Sequence, residues 1–168
     1  LKGIPVVNVP AEHSTTFENI KTENGRRQTL HHQAAPILFE HIPQVWRNAP
    51  IIHLAPIAGE LDSSLAGKLS GSLLGVTPQG WMRKWDEKGQ VQACAWENSE
   101  QVLGQVGSVV MSVEDVNRDL ELVESMAHQT RIFCLTEGEA GAVLHWNGDR
   151  RRFRPPSVNE VDATGAGD

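Results

Sequence analysis

GSVVMSVEDVNRDLELVESMAHQTRIFCL, residues 107–135, decides the fold. Residues 107–111 and 131–135 are short apolar runs of strand length. Between them Val116, Leu120, Val123 and Ala127 recur on one face at helical spacing. Strand, helix, strand is a βαβ unit, which joins two parallel neighbours in one sheet. The same alternation lies upstream: residues 50–55 and 72–76 read as buried strands with a helix over 60–69 between them. Repeated βαβ units predict an α/β domain with a parallel sheet. Downstream, residues 142–146 and 151–154 flank Asn147-Gly148-Asp149, the pattern of a hairpin.

Before Pro36 the pattern is one of strands alone: a short apolar run at 4–9, then 14–20 and 26–33. Asn24-Gly25 separates the last two, and both residues tolerate positive φ, so this pair predicts a hairpin turn. Few large apolar residues lie in that hairpin, which suits a lid or an edge sheet better than the main core. The chain has 168 residues, enough for one unit with a real core. Fifteen Lys and Arg against 21 Asp and Glu leave a net charge of −6, the wrong sign for binding phosphate backbones or anionic membranes. No apolar run approaches the roughly 20 residues of a membrane span, and the opening stretch lacks a signal peptide's basic flank. Cys94 and Cys134 stand far apart in apolar stretches, without a C-x-x-C pattern or a His-rich partner; they are expected reduced and buried.

The residues with chemistry come in order along the chain. His31-His32 lacks an acidic or Cys partner at ligand spacing, so no metal site is read there. Ala66-Gly67-Lys68-Leu69-Ser70 has the look of a phosphate-binding loop, but Asp62 stands where the first Gly is required and Leu69 where Ser or Thr is; it reads as a helix end. Arg83, in the stretch 77–85, either faces a phosphate or an acidic substrate or is a solvated surface Arg. Ser112-Val113-Glu114-Asp115 has the spacing of a helix start in capping-box style, with an indirect role at a metal, through bound water, as the other reading. Thr136-Glu137-Gly138-Glu139-Ala140-Gly141 follows a buried strand and, on its own, reads as a hairpin whose glycines supply positive φ.

The last seven residues, Asp162-Ala163-Thr164-Gly165-Ala166-Gly167-Asp168, weigh most. A Gly-x-Gly turn with small side chains exposes successive backbone N–H groups, and a helix opening after it points its free donors the same way. Such a cluster holds an anion, and an aspartate beside it can take a proton from an attacking hydroxyl. Chemistry alone leaves this open against an ordinary glycine-rich loop.

Taken together, these segments resemble the ribokinase-like, or PfkB, carbohydrate kinases. Asp162 to Asp168 is similar to that family's D-[TA]-T-G-A-G-D signature. The resemblance implies Asp168 as catalytic base, Gly165, Ala166 and Gly167 as anion hole, and Asp162 as a neighbour of phosphate and cation. Thr136, Gly138 and Gly141 resemble the T-x-G-x-x-G nucleotide-binding turn. Ser112 to Asp115 occupies the place of the N-x-x-E motif with both defining residues replaced, so the part of Asp115 or Glu114 toward Mg²⁺ is indirect. Residues 77–85 resemble a D-P-N-x-R-x-x-W stretch with Thr77 for Asp, Gln79 for Asn and one extra residue before Arg83. The first hairpin resembles the β-lid that closes over the sugar; its Asn19, Arg27 and His31 either reach substrate hydroxyls or face water. That lid strand and residues 52–56 look somewhat like uncharacterised sugar-kinase members and plant inositol kinases.

By resemblance, then, the fold is a ribokinase-like three-layer α/β/α core with a mainly parallel sheet plus a small β-lid hairpin. The chain is expected to be a partial kinase domain, with 10–34 as lid strands and 35–168 as α/β core ending at the anion hole. It would lack the family's early Gly-Gly segment and everything past the signature. The implied activity is ATP- and Mg²⁺-dependent phosphorylation of a hydroxyl on a sugar, polyol or nucleoside. No nucleic-acid or membrane partner is expected, the location is cytoplasmic, and a homodimer joined through the lid is among the implied partners. The replaced motif residues motivate a second reading: a non-catalytic sugar- or nucleotide-binding descendant, or an inactive kinase fragment.

Overall fold

A computed structural model describes residues 3–23, 25–69 and 71–157. The chain runs β1 (Thr16–Thr22), β2 (Gly25–His32), α1 (Gln44–Arg47), β3 (Ile51–Leu54), α2 (Leu65–Lys68), β4 (Leu73–Val76), β5 (Arg83–Trp85), β6 (Val91–Ala93), α3 (Ser99–Leu103), β7 (Ser108–Ser112), α4 (Leu120–Ala127), β8 (Ile132–Thr136), β9 (Ala142–Trp146) and β10 (Asp149–Phe153). Short 3-10 helices occur at Phe39–His41, Pro78–Met82 and Gly138–Ala140. The central sheet has six strands in the order β10-β9-β8-β7-β4-β3, and β1-β2 and β5-β6 form separate two-stranded sheets. β3, β4, β7 and β8 are mutually parallel, while β9 and β10 return antiparallel. The fold class read from residues 107–135, mixed α/β with a mainly parallel sheet, is the one observed.

The four parallel strands lie side by side in chain order. A right-handed crossover that always steps in the same direction carries its helix to the same face of the sheet. Alternate strand residues on that face, among them Leu74, Val76, Val109, Met111, Phe133, Leu135 and Val143, pack with Leu65 and Ala66 of α2, Val102 and Leu103 of α3, and Val123 and Met126 of α4 in one continuous core. Phe133, on the central strand β8, is fully buried. As expected, the first hairpin stays out of this core; Leu30 is its buried apolar residue. Its turn residue Asn24 lies outside the described residues. At the other hairpin Asn147 and Gly148 have φ of 51° and 81°, the primed turn that matches strand twist, so β10 already begins at Asp149. Arg150, Arg151 and Arg152 stud β10, a charged strand at the edge of the sheet.

Several expectations are corrected. Residues 4–9 form no strand. The helix expected over 60–69 shrinks to α2, because the acidic side chains ahead of it are bonded to nearby backbone instead. Glu60 accepts the N–H groups of Ile57 (2.7 Å) and Ala58 (2.6 Å), and Asp62 accepts that of Ser64 (2.7 Å). The bonds from Ser64 hold the Asp62 carboxyl below its usual range. The helix expected from Val116 starts four residues later: Asn117 and Arg118 take positive φ, and Asp119 caps α4 by accepting the Leu122 N–H at 3.0 Å. Val116 still joins the core, from the preceding turn, whereas Leu120 is exposed. Of the Ser112 to Asp115 box, one bond forms, Ser112 N–H to Asp115 Oδ2 at 2.9 Å, while Ser112 Oγ accepts the N–H of Glu114 (3.2 Å) and the Asp115 N–H goes to Ser112 O (3.0 Å). They close a turn rather than a helix. Both cysteines are free but only half-buried, and burial raises both thiols above the ordinary range.

Phe133→Ala removes a ring from the middle of this single core and is expected to cost about 3–5 kcal/mol in urea unfolding; a loss below about 1 kcal/mol would mean that the core collapses around the gap.

Candidate functional site

In an open parallel sheet the loops that leave the carboxyl ends of the strands gather at one edge, where ligands bind. Here four loops do so: residues 55–60 after β3, 77–82 after β4, 113–119 after β7 and 137–141 after β8. Hydrogen bonds tie them in a row. Gly80 N–H donates to Pro56 O at 2.9 Å, Gln79 Nε2 to Asp115 Oδ1 at 3.3 Å, and Val113 N–H to Thr136 O at 2.9 Å. Trp81 Nε1 donates to Leu61 O at 2.6 Å. Gly80 is required by close approach: a Cβ there would stand 2.5 Å from Ile57 N and from the Pro56 carbonyl carbon. Glu60, the buried charged side chain among the described residues, fixes the first loop through its two backbone N–H bonds.

The turn after β8 places Thr136, Gly138 and Gly141 together. Thr136 Oγ1 donates to Met111 O at 3.3 Å, which anchors the turn to β7. Gly138 (φ 58°) and Gly141 (φ 96°) bracket the 3-10 helix, and a side chain at Gly141 would overlap the carbonyl oxygen of Phe153. Gly138, by contrast, has open space around its α-carbon. Glu137 beside it is ion-paired with Arg152 of the edge strand. Asp115 lies in the neighbouring loop with both carboxylate oxygens engaged, one by Ser112 N–H and one by Gln79; Glu114 is exposed.

The lid hairpin meets this edge over residues 57–59. Gln33 Nε2 donates to Ala58 O at 2.6 Å, Arg83 Nη1 to Ile57 O at 3.4 Å, and the Arg83 guanidinium sits 5.7 Å from the Phe17 ring centre. Arg83 is thus a bracket between the first hairpin and the loop after β3. Asn19 is exposed and accepts from Gln28 Nε2 at 2.9 Å across the hairpin; Arg27 is exposed opposite Ile20. His31 faces Glu18 at 3.5 Å. Among the described residues no group of three His, Cys, Asp or Glu side chains could hold a metal ion. Asp162, Gly165, Ala166, Gly167 and Asp168 lie outside the described residues. Sequence reading missed Gln79, Gly80 and Glu60; the replaced Asn at position 79 was the signal for the first, and nothing marked the other two.

Two hollows lie among the described residues. One of about 340 Å³ sits between the end of α4 and the β9–β10 turn, and one of about 290 Å³ lies beneath residues 7–9.

No family model matches the sequence, and no curated protein matches it. Solved structures do. A pyrophosphate-dependent myo-inositol-1 kinase converted into a myo-inositol-3 kinase matches with a TM-score of 0.79 at 18% identity, over 98% of this chain and 59% of that one. The chain has the ribokinase-like fold. Fructokinase from Vibrio cholerae, bound to fructose, ADP and calcium, shares it with a TM-score of 0.65 at 17% identity, over 95% of this chain and 56% of that one. Arabidopsis thaliana ribokinase complexed with ribose and ATP shares it with a TM-score of 0.57 at 13% identity, over 90% of this chain and 52% of that one. The chain therefore spans a little over half the length of each of these three structures.

Gly80→Ala is expected to destabilise the protein by about 1–3 kcal/mol, because two loop backbones must separate to admit the methyl group. Glu60→Ala, which strips two N–H groups of their acceptor, is expected to cost a similar amount. Thermal melts of both variants check this, and unchanged midpoints would show that the edge is not held by these contacts.

Proposed function

We propose that this chain is part of a ribokinase-type phosphotransferase that moves the terminal phosphoryl group of ATP or pyrophosphate to a hydroxyl of a sugar, polyol or nucleoside. The observation that carries this reading is the carboxyl-edge row of loops facing a separate lid hairpin, in a fold shared with kinases for fructose, ribose and myo-inositol. Pyrophosphate counts as a donor beside ATP because structures with TM-scores of 0.76 and 0.79 are pyrophosphate-dependent.

In this reading the acceptor hydroxyl lies under the lid, near Arg83 and the exposed faces of Asn19 and Arg27. Its oxygen attacks the terminal phosphorus while the hydroxyl proton passes to Asp168, and the bond to the leaving ADP or phosphate breaks. The N–H groups of Gly165, Ala166 and Gly167 take up charge on the transferred group, as fixed backbone dipoles do at no reorganisation cost. Thr136, Gly138 and Gly141 shape the donor side, with Asp162 near the phosphates; the space around Gly138 leaves room for a ligand to approach the backbone. Mg²⁺ keeps most of its waters and needs only one or two carboxylates beside phosphate oxygens. Asp115 and Glu114 fit it through bound water, since Asp115's oxygens already accept two hydrogen bonds. The ion would neutralise charge on the donor phosphates.

The complete protein that carries these residues, given Mg²⁺ with ATP or with pyrophosphate, is expected to phosphorylate some member of a panel of sugars, inositols and nucleosides. Asp168→Asn is expected to lower that rate at least about a hundredfold. An unchanged rate in Asp168→Asn overturns the assignment of the base. Calorimetric binding of a panel member without any turnover selects the non-catalytic reading instead.

A further inference from the structure

The turn after β8 carries two carboxylates, Glu137 and Glu139, one on each side of Gly138, the residue with open space around its α-carbon. A polyphosphate brought to that backbone meets two like charges within one turn. Glu139 is exposed, so solvent shields it. The Glu137 side chain is only 17% exposed, and its charge is shielded far less. The edge strand answers that charge. In β10, Arg150 lies opposite His145 and Arg152 opposite Val143, on one face of the strand. Arg150 pairs with Glu124 of α4 at 3.3 Å, and Arg151, on the other face, pairs with Asp149 at 3.5 Å. Arg152 is the one that reaches the turn, where its Nη1 donates to Glu137 Oε2.

The pair is not what shapes the turn. Glu137 N–H donates to Gly141 O at 2.7 Å, Ala140 N–H to Glu137 O at 3.2 Å and Gly141 N–H to Gly138 O at 3.0 Å, so the turn closes through backbone bonds. The close approach of Gly141 to the Phe153 carbonyl oxygen seats it on β10 without any side chain. Nor is the pair a large stabiliser: Arg152 is 42% exposed, and an ion pair with one partner this open adds little to folding. What it does supply is a neutralised carboxylate, held against the edge strand, beside the open Gly138.

We propose that Arg152 is a positioning residue for the phosphoryl donor: by pairing with Glu137 it masks a negative charge that otherwise opposes a polyphosphate at Gly138. This rests on the donor-side reading of the turn given under the proposed function. The test is a double-mutant cycle on Arg152→Ala and Glu137→Gln in the complete protein, with Mg²⁺ and ATP or pyrophosphate. Arg152→Ala is expected to raise the donor KM about tenfold, with the acceptor KM unchanged and the deficit shrinking as salt is raised. In the Glu137→Gln background no charge remains to mask, and the same loss of Arg152 is expected to change the donor KM by less than about twofold. Arg152→Lys keeps the charge and is expected to stay within about threefold of the wild type. A brace acting through shape alone gives equal losses in both backgrounds, and that result overturns the proposal. A Lys variant as impaired as the Ala variant, or a rise in both KM values or in neither, overturns it equally. If the complete protein turns over no acceptor, the kinase reading fails by itself and the cycle is read from calorimetric binding of ATP and of pyrophosphate. The same pattern in the dissociation constants then sustains the proposal; a flat pattern, or no donor binding, overturns it.

Discussion

Four parallel strands laid down in chain order, each joined to the next by a crossover of one hand, constrain everything else in this molecule. The order fixes the face on which α2, α3 and α4 lie, and so gathers Phe133, Val109, Leu74 and their neighbours into one core. It also fixes the edge where the loops after β3, β4, β7 and β8 emerge side by side, close enough to bond to one another in sequence. The same order leaves Ile51, Leu73, Val110 and Trp146 in the open. Core, site and bare face are three consequences of one topological rule.

Within that edge, side-chain length matters as much as identity. Against the kinase patterns that residues 77–85 and 112–115 resemble, Gln79 is one methylene longer than Asn and Asp115 one methylene shorter than Glu. Read along the sequence these are two unrelated departures, each weakening the resemblance. In the structure they are partners, joined Nε2 to Oδ1 at 3.3 Å, so that a longer donor meets a shorter acceptor across the gap between two neighbouring loops. The pair weakens the case for Asp115 as a direct metal ligand and strengthens the case for it as a strut.

The sequence made most of the scaffold legible, because the information there is local. The period of Val109, Met111, Phe133 and Leu135, the Asn147-Gly148 turn and the polarity of the first hairpin each act over a few residues. The two helix boundaries went astray for an equally local reason: Asp62 and Asp119 direct their carboxylates to backbone N–H groups, and periodicity does not register that competition. What could not be read was the contact between segments far apart in sequence. Nothing near Gly80 says that the backbone of Pro56 will lie against it, and nothing near Glu60 says that its carboxylate will be buried in a loop. The glycines at 138 and 141 were legible as turn formers, yet only the approach of Phe153 distinguishes the one that packs from the one that stands clear.

The first hairpin shows how such distant contacts join separate sheets. Its inner strand is not a free edge: Leu30 N–H donates to Gly89 O at 2.8 Å, Thr29 bridges Gln90, and Gln90 Nε2 donates to Gln28 O at 2.8 Å. The β5–β6 ribbon is therefore bonded to the hairpin. That ribbon is attached to β4 through the 3-10 helix Pro78–Met82, which also carries Gln79 against Asp115 and Gly80 against Pro56. The hairpin is thus connected to a short element whose adjacent residues Gln79 and Gly80 contact the loops after β7 and β3. The connection follows from the close fit at a single glycine, Gly80, where an added methyl group would part this element from the backbone of Pro56 and Ile57.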